Sequence, residues 1–247
     1  MFHKLQHDAA MPMFYAWSSG DTMKPASNQI TETPIYGLSE AAQYLRVPLN
    51  TLRYWVRGGG SVPPLVKLAK SEPARLSFMN LLECHMLSSM RAIYTVKIPR
   101  VRKALISLAK YVQHEHPLVE QAFRTDRRDL FIEHLGSIVN LSKDQQILIP
   151  GVMEFYLERI ERDPKGLFKF YPFVMERTQN EPRLILINPA VGFGKPVIAG
   201  TGISTAVVAS RFNARESIDD LASEYGVKPR QIEEAIRWEQ NTAAVAA

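Results

Sequence analysis

Apolar residues recur at helical spacing in several stretches of this chain, and proline or glycine interrupts each stretch where it ends. Leu38, Ala41, Ala42 and Leu45 share one helical face, with Ser39 expected as the N-cap that accepts an orphan backbone N–H. Arg46-Val47-Pro48 breaks that helix, and Pro48 suits the first turn of a second one. The second helix buries Leu52, Trp55 and Val56 and leaves Asn50, Thr51, Arg53, Tyr54 and Arg57 outside, before Gly58-Gly59-Gly60 stops it. Two short helices, a tight turn and an exposed polar-basic second helix are the layout that reading a DNA major groove requires.

Beyond the glycines, Pro63–Leu68 and Ala74–Phe78 bracket a turn around Lys70–Pro73, which predicts a small β-wing. Lys67, Lys70 and Arg75 would set positive charge along a DNA backbone, positioning the protein without reading sequence. Ser77 is expected to cap a helix running to Tyr94 with Phe78, Leu81, Leu82, Met86, Met90 and Ile93 inward. Pro99 opens another, striped by Val101, Ala104, Leu105, Leu108 and Val112.

The middle of the chain mixes periods. Residues 129–134, 137–141 and 146–149 alternate as strands do, and Pro150 starts a helix with Val152, Met153, Tyr156, Leu157 and Ile160 on one side, ended by Asp163-Pro164. Leu167–Phe173 and Arg183–Ile187 read as two strands joined by the Glu176–Pro182 loop. Toward the C-terminus, Pro196–Ala199 reads as a short strand, and Thr205–Phe212, Ser217–Tyr225 and Pro229–Glu239 as three helices. The architecture expected is α+β, mainly α: an N-terminal winged helix-turn-helix (34–112), a small mixed connecting module (113–187) and a C-terminal trihelical helix-turn-helix (188–247). Residues 1–33 show no clean period and read either as a mobile leader or as a start-site extension.

Charge sharpens this picture. Residues 34–110 hold 12 Lys/Arg against Glu40, Glu72 and Glu83, whereas 111–187 and 188–247 are close to neutral. A concentrated basic field attracts phosphate and releases counterions. The first unit is therefore the expected contact for double-stranded DNA. The single cysteine, Cys84, leaves no internal disulfide framework and fits a reducing, cytoplasmic setting; no apolar run approaches a membrane span.

Candidate catalytic motifs fail on arithmetic. The run around Gly192, Gly194, Gly200 and Gly202 tempts a phosphate-loop reading, but Pro189 stands where the first glycine belongs and Pro196 follows Lys195. A dinucleotide fingerprint needs a third glycine where Val197 stands, so the run reads as a turn into a strand. His114 and His116 have no carboxylate or cysteine at ligand spacing in the local sequence, and read as polar capping of a helix end before Pro117. Cys84 and His85 point about 100° apart on a helix, too divergent to pair as nucleophile and base. Phe168 and Phe170 could stack bases, but period two puts them on one strand face, where core packing is the simpler expectation. No catalytic residue, metal or cofactor is expected, and the chain reads as a non-enzyme.

LSEAAQYL…VPLNTLRYWV, with the segment after it, resembles the winged helix-turn-helix of MerR and excisionase regulators. No sustained heptad follows, in contrast to the long dimerising helix of that family. GKPVIAGTGI followed by SIDDLASEYGVKPRQIEEAIRW is similar to a small bacterial domain family of unknown function. Family members commonly carry Gly-Thr-Arg-Ile, where this chain has Gly202 in place of the Arg. The combination resembles a mycobacterial VapB-type antitoxin. That resemblance implies a PIN-type (VapC-like) ribonuclease toxin as partner and autoregulation of a shared operon through operator DNA.

The expected function is thus an antitoxin that neutralises a PIN-type ribonuclease and binds its own promoter as a homodimer. DNA contacts fall to Asn50, Thr51, Arg53, Tyr54, Arg57, Lys67, Lys70 and Arg75; toxin contacts fall to Lys195, Arg211, Arg215, Lys228, Arg230 and Arg237. A stand-alone transcriptional regulator with a dimerising C-terminal domain, and an RNA-processing factor using the aromatic strands, are the alternatives.

Overall fold

Every residue from Leu76 to Ser89 is buried, so the helix that contains most of them, α4 (Phe78–Ala92), has no solvent-facing side over that length. It belongs to a computed structural model that describes residues 26–69, 71–92, 102, 115–116, 118–119, 152, 154–163, 167–174 and 181–246. Lys70, all but Arg102 of the helix expected after Pro99, and the strands expected at 129–149 lie outside the described residues, as does most of the leader.

The start of α4 is the expected one. Ser77 Oγ accepts from the Asn80 N–H at 3.1 Å and Asn80 Oδ1 accepts from the Ser77 N–H at 3.2 Å, a reciprocal cap that satisfies two orphan donors. The amphipathic stripe expected for this helix is too narrow. Asn80, Glu83, His85, Ser88 and Ser89 are buried on its other faces, and each has a partner. Asn80 Nδ2 donates to the Lys67 carbonyl at 3.1 Å, Ser88 and Ser89 donate to carbonyls of their own helix, and His85 Nε2 lies 2.9 Å from the Tyr156 carbonyl oxygen.

Ahead of it come α1 (Ala26–Glu32), β1 (Tyr36–Gly37), α2 (Leu38–Leu45), α3 (Leu49–Arg57) and β2 (Arg75–Leu76). The end of the expected leader is thus helical. Two further corrections follow from local hydrogen bonding. Gly37, not Ser39, is the N-cap of α2, because the Gly37 N–H donates to the Glu40 carboxylate at 3.2 Å. The β-wing expected from 63–68 and 74–78 is replaced by a different pairing: Leu76 and Arg75 stand opposite Tyr36 and Gly37 in an antiparallel ladder. Residues 65–66 instead hang from the end of α3, where the Trp55 carbonyl accepts the N–H groups of Leu65 and Val66 at 2.7 and 3.1 Å.

In the middle segment the helix ends sooner than expected. Residues 154–157 are helical, but Ile160–Arg162 form β3, paired antiparallel with β4 (Phe168–Phe170) so that Ile160 faces Phe170. Asp163 closes the turn from both sides, its N–H donating to the Leu167 carbonyl and its Oδ1 accepting the Leu167 N–H, each at 2.8 Å. Phe168 and Phe170 are buried, as period two requires of a core-facing pair. Arg159 is buried beside them, and its guanidinium donates to the carbonyls of Tyr171, Glu181 and Pro172 at 2.7, 2.9 and 2.9 Å.

β5 (Ile185–Leu186) pairs with β6 (Val197–Ile198), so the boundary expected at 187/188 falls between two strands of one ladder. Three helices follow: α5 (Thr205–Asn213), α6 (Ile218–Tyr225) and α7 (Pro229–Ala246). Ser217 Oγ caps α6 by accepting the Asp220 N–H at 3.1 Å, and Gly226 ends it with φ of 65°, a left-handed position that glycine adopts without a Cβ clash. Val208, Leu221, Ile232, Ala235 and Trp238 close this unit and join the core that contains Tyr36, Leu52 and Trp55. Among the described residues no helix is long and apolar enough to cross a membrane.

Candidate functional site

α3 presents part of the face that its sequence implies. Asn50, Arg53 and Arg57 are exposed, while Leu52, Trp55 and Val56 anchor the helix in the core. Arg53 Nη1 donates to Asn50 Oδ1 at 3.2 Å, one turn apart, which holds both side chains on the outer surface. Thr51 and Tyr54 are only half exposed. The Tyr54 ring lies close to Gly59, and the Arg102 guanidinium stands 5.9 Å from the ring centroid, so this tyrosine serves packing at the base of the face. Gly58 allows the helix to stop sharply, since a Cβ there would strike the Val62 carbonyl oxygen.

Lys67 is exposed one residue beyond the Leu65–Val66 attachment, which fixes it close to the end of α3. Arg75 is also exposed, and its Nη1 donates to the Ile35 carbonyl at 3.0 Å, tying its head to the strand that leads into α2. Asn50, Arg53, Arg57 and Lys67 therefore belong to α3 and its attached segment, whereas Arg75 belongs to the β1–β2 pair.

The six C-terminal bases divide into two groups. Arg211 clasps the α5–α6 connection: Nε donates to Glu216 at 2.8 Å, Nη1 to Glu224 at 2.7 Å and to the Tyr225 hydroxyl at 3.0 Å. These bonds hold the Glu216 and Glu224 carboxyls below the usual carboxylate range. Arg237 pairs with Glu233 and Glu234 on its own helix, and Lys195 pairs with Glu40 of α2. Arg215, Lys228 and Arg230 are exposed and enter no ion pair among the described residues.

One exposed residue had no signal in the sequence. The Gly192–Gly194 turn lifts Phe193 into solvent with 92% of its surface exposed and φ of 54°. A bulky residue at positive φ is strained by about 1–3 kcal/mol, and such positions cluster at ligand clamps and contact sites. Its neighbours make the turn compulsory. A Cβ at Gly194 would lie 2.5 Å from the Tyr36 hydroxyl, and one at Gly192 2.8 Å from a Val197 methyl. The glycines let the backbone lie against the core while the aromatic ring faces outward.

Comparison with known proteins gives this geometry a context. Residues 185–238 match a domain family described as a protein of unknown function, DUF433, and the match begins on β5 and ends at Trp238. The chain is 27% identical over 229 residues to a Mycobacterium tuberculosis protein named "Putative antitoxin VapB45", covering 83% of this chain and 93% of that protein. It is 25% identical over 215 residues to "Uncharacterized protein Rv2308" of the same organism, covering 83% of this chain and 89% of the relative. The crystal structure of Rv2018 from Mycobacterium tuberculosis superposes with a TM-score of 0.64 at 26% identity, across 83% of this chain and 98% of the other.

Proposed function

We propose that the protein is the antitoxin of a toxin–antitoxin pair, which neutralises a PIN-type ribonuclease and represses its own promoter. The observation that carries the reading is the extent of the similarity to VapB45, which spans 83% of this chain and therefore reaches well beyond the DUF433 match. The two ends divide the work. Asn50, Arg53 and Arg57 read the operator from α3, supported by Lys67, Lys70 and Arg75 on the phosphates. A second copy of the chain supplies the matching half-site, because one recognition helix contacts too few base pairs for useful specificity.

The C-terminal unit meets the toxin. A PIN-type ribonuclease holds divalent metal with carboxylates, so a protein inhibitor gains from offered cations and from blocking entry. Arg215, Lys228 and Arg230 are the available cations, and Phe193 is the aromatic anchor that interfaces favour. Arg211, Arg237 and Lys195 act one step back, shaping the surface through their intramolecular pairs. Co-expression of the full chain with the partner ribonuclease tests the reading. Growth is restored and the two proteins co-purify; continued toxicity beside a folded chain refutes it.

A further inference from the structure

From Arg46 to Ser71 the sequence contains Arg46, Arg53, Arg57, Lys67 and Lys70 and no acidic residue, so α3 and the loop after it are a stretch of one sign. Arg57, in the last turn of α3, is exposed and enters no hydrogen bond or ion pair among the described residues. Gly59, Gly60, Ser61 and Val62 follow it, all exposed, and close a tight turn. In that turn the Gly59 carbonyl accepts the Val62 N–H at 2.9 Å, and the Gly59 N–H donates to the Val62 carbonyl at 3.0 Å. The two amides between them, those of Gly60 and Ser61, have no acceptor among the described residues. Nothing lies within 4 Å of the place where a Cβ would stand on Gly60, so the backbone there is open to close approach.

The turn is braced from behind. Arg102 donates through Nη1 to the Pro63 carbonyl, and its guanidinium stands 5.9 Å from the centroid of the Tyr54 ring. The edge of the same ring lies against Gly59, where a Cβ would meet Tyr54 Cε2 at 3.4 Å. Arg102 and Tyr54 thus tie the turn to α3 and fix its amides relative to Arg57. Arg102 Nη2 is closed to solvent, so this guanidinium acts on the loop and does not reach a ligand outside it.

We propose that the Gly60 and Ser61 amides and Arg57 grip one phosphate of a DNA duplex, with Arg102 as the positioning residue that holds the turn in place. Two amide N–H groups and a guanidinium are donors only, which matches the acceptor oxygens of a phosphodiester. Arg57 also offsets the negative end of the α3 dipole, which would otherwise repel an anion at this end of the helix. The proposal rests on the promoter-binding reading and adds to it the contact that sets register. Arg57 stands one turn beyond Arg53 on α3, so a phosphate fixed there determines where Arg53 and Asn50 meet the base edges.

The test scans the DNA upstream of the protein's own gene with neutral methylphosphonates, one phosphate at a time, and reads binding of the full chain by fluorescence anisotropy. Replacement at one phosphate of each half-site should weaken the wild type by about 10-fold, the worth of hydrogen bonds to a charged group. Arg57→Gln and Ser61→Pro, which remove one donor each, should respond less at that phosphate. Ser61→Glu, an exposed change that leaves the backbone intact, sets a carboxylate against the phosphate and should bind the neutralised DNA better than the native DNA. Arg102→Met should lose the response at the same phosphate and keep the base preference that Arg53 supplies, whereas a general loosening of the fold would weaken every position. Circular dichroism checks that each variant is folded. A phosphate profile shared by the wild type, Arg57→Gln and Ser61→Glu overturns the proposal and leaves promoter binding standing. Absence of DNA binding by the wild-type chain overturns both.

Discussion

Trp238 of α7 packs against Tyr44 of α2, with ring centroids 5.6 Å apart and planes inclined at 41°. Both side chains are buried, and the Tyr44 hydroxyl donates to Glu40 Oε1 at 2.8 Å. Glu40 also receives Lys195 and the Gly37 N–H, so the helices at the two ends of the chain share one packed and hydrogen-bonded seam.

That seam predicts joint unfolding. Trp238→Ala should lower stability by about 3–5 kcal/mol through lost burial and the resulting cavity. Tyr44→Phe should lose about 1 kcal/mol, the worth of one hydrogen bond. Urea titrations followed by circular dichroism and by tryptophan fluorescence should coincide in the wild type; separate transitions would show that the two ends fold independently.

Arg159 should be irreplaceable for a similar reason. Arg159→Met removes the donors of four carbonyls, two of them buried with it, and should cost roughly 3 kcal/mol because acceptors are left without partners. Arg159→Lys should recover little, since one ammonium cannot span the fork that reaches Tyr171, Pro172 and Glu181. Denaturant midpoints of the two variants check this directly.

The Arg211 clasp gives a pH signature. The folded pKa values of Glu216 and Glu224 are depressed, so the stability they contribute is present above their ordinary carboxylate range and is lost as pH falls through the folded values. Thermal melts of the wild type between neutral pH and pH 3 should decline more steeply than those of Arg211→Met. Parallel curves would mean that the clasp contributes nothing measurable in solution.

DNA contact is checked residue by residue. Arg53→Ala should lose about 1–3 kcal/mol at the cognate operator and relax its sequence preference. Lys67→Ala and Lys70→Ala should weaken all DNA alike and flatten the salt dependence by about one unit. Tyr54→Phe should bind as the wild type does, because the ring is occupied with Gly59 and Arg102. Mobility-shift titrations at several salt concentrations separate these outcomes.

The parts of the fold legible in the sequence are those with an amphipathic period and a local boundary. α2, α3 and the three C-terminal helices have both, and Ser77 marks the start of α4. What stayed hidden depends on distant partners. β1 and β2 are two residues each, and nothing local to Arg75–Leu76 says that Tyr36–Gly37 will pair with them. Ile160 continues the helical stripe of Tyr156 and Leu157, yet pairing with Phe170 makes it a strand. Arg211 looked free because its acceptors lie on the next connection and helix. His116 is bonded to Glu32 and Glu83, 84 and 33 positions away, instead of capping a helix end, and no local spacing announces such partners. Phe193 was concealed by its glycines, which announce a turn without saying which side chain the turn displays.

The most direct test of the antitoxin reading is inhibition of the PIN-type ribonuclease in solution. RNA cleavage by the purified toxin is followed as the full-length chain is added. Cleavage should fall to zero at a fixed stoichiometric end point. Phe193→Asp combined with Glu at Arg215, Lys228 and Arg230 should abolish that inhibition, while Arg53→Ala should retain it in full. Undiminished cleavage in the presence of excess folded chain would contradict the account.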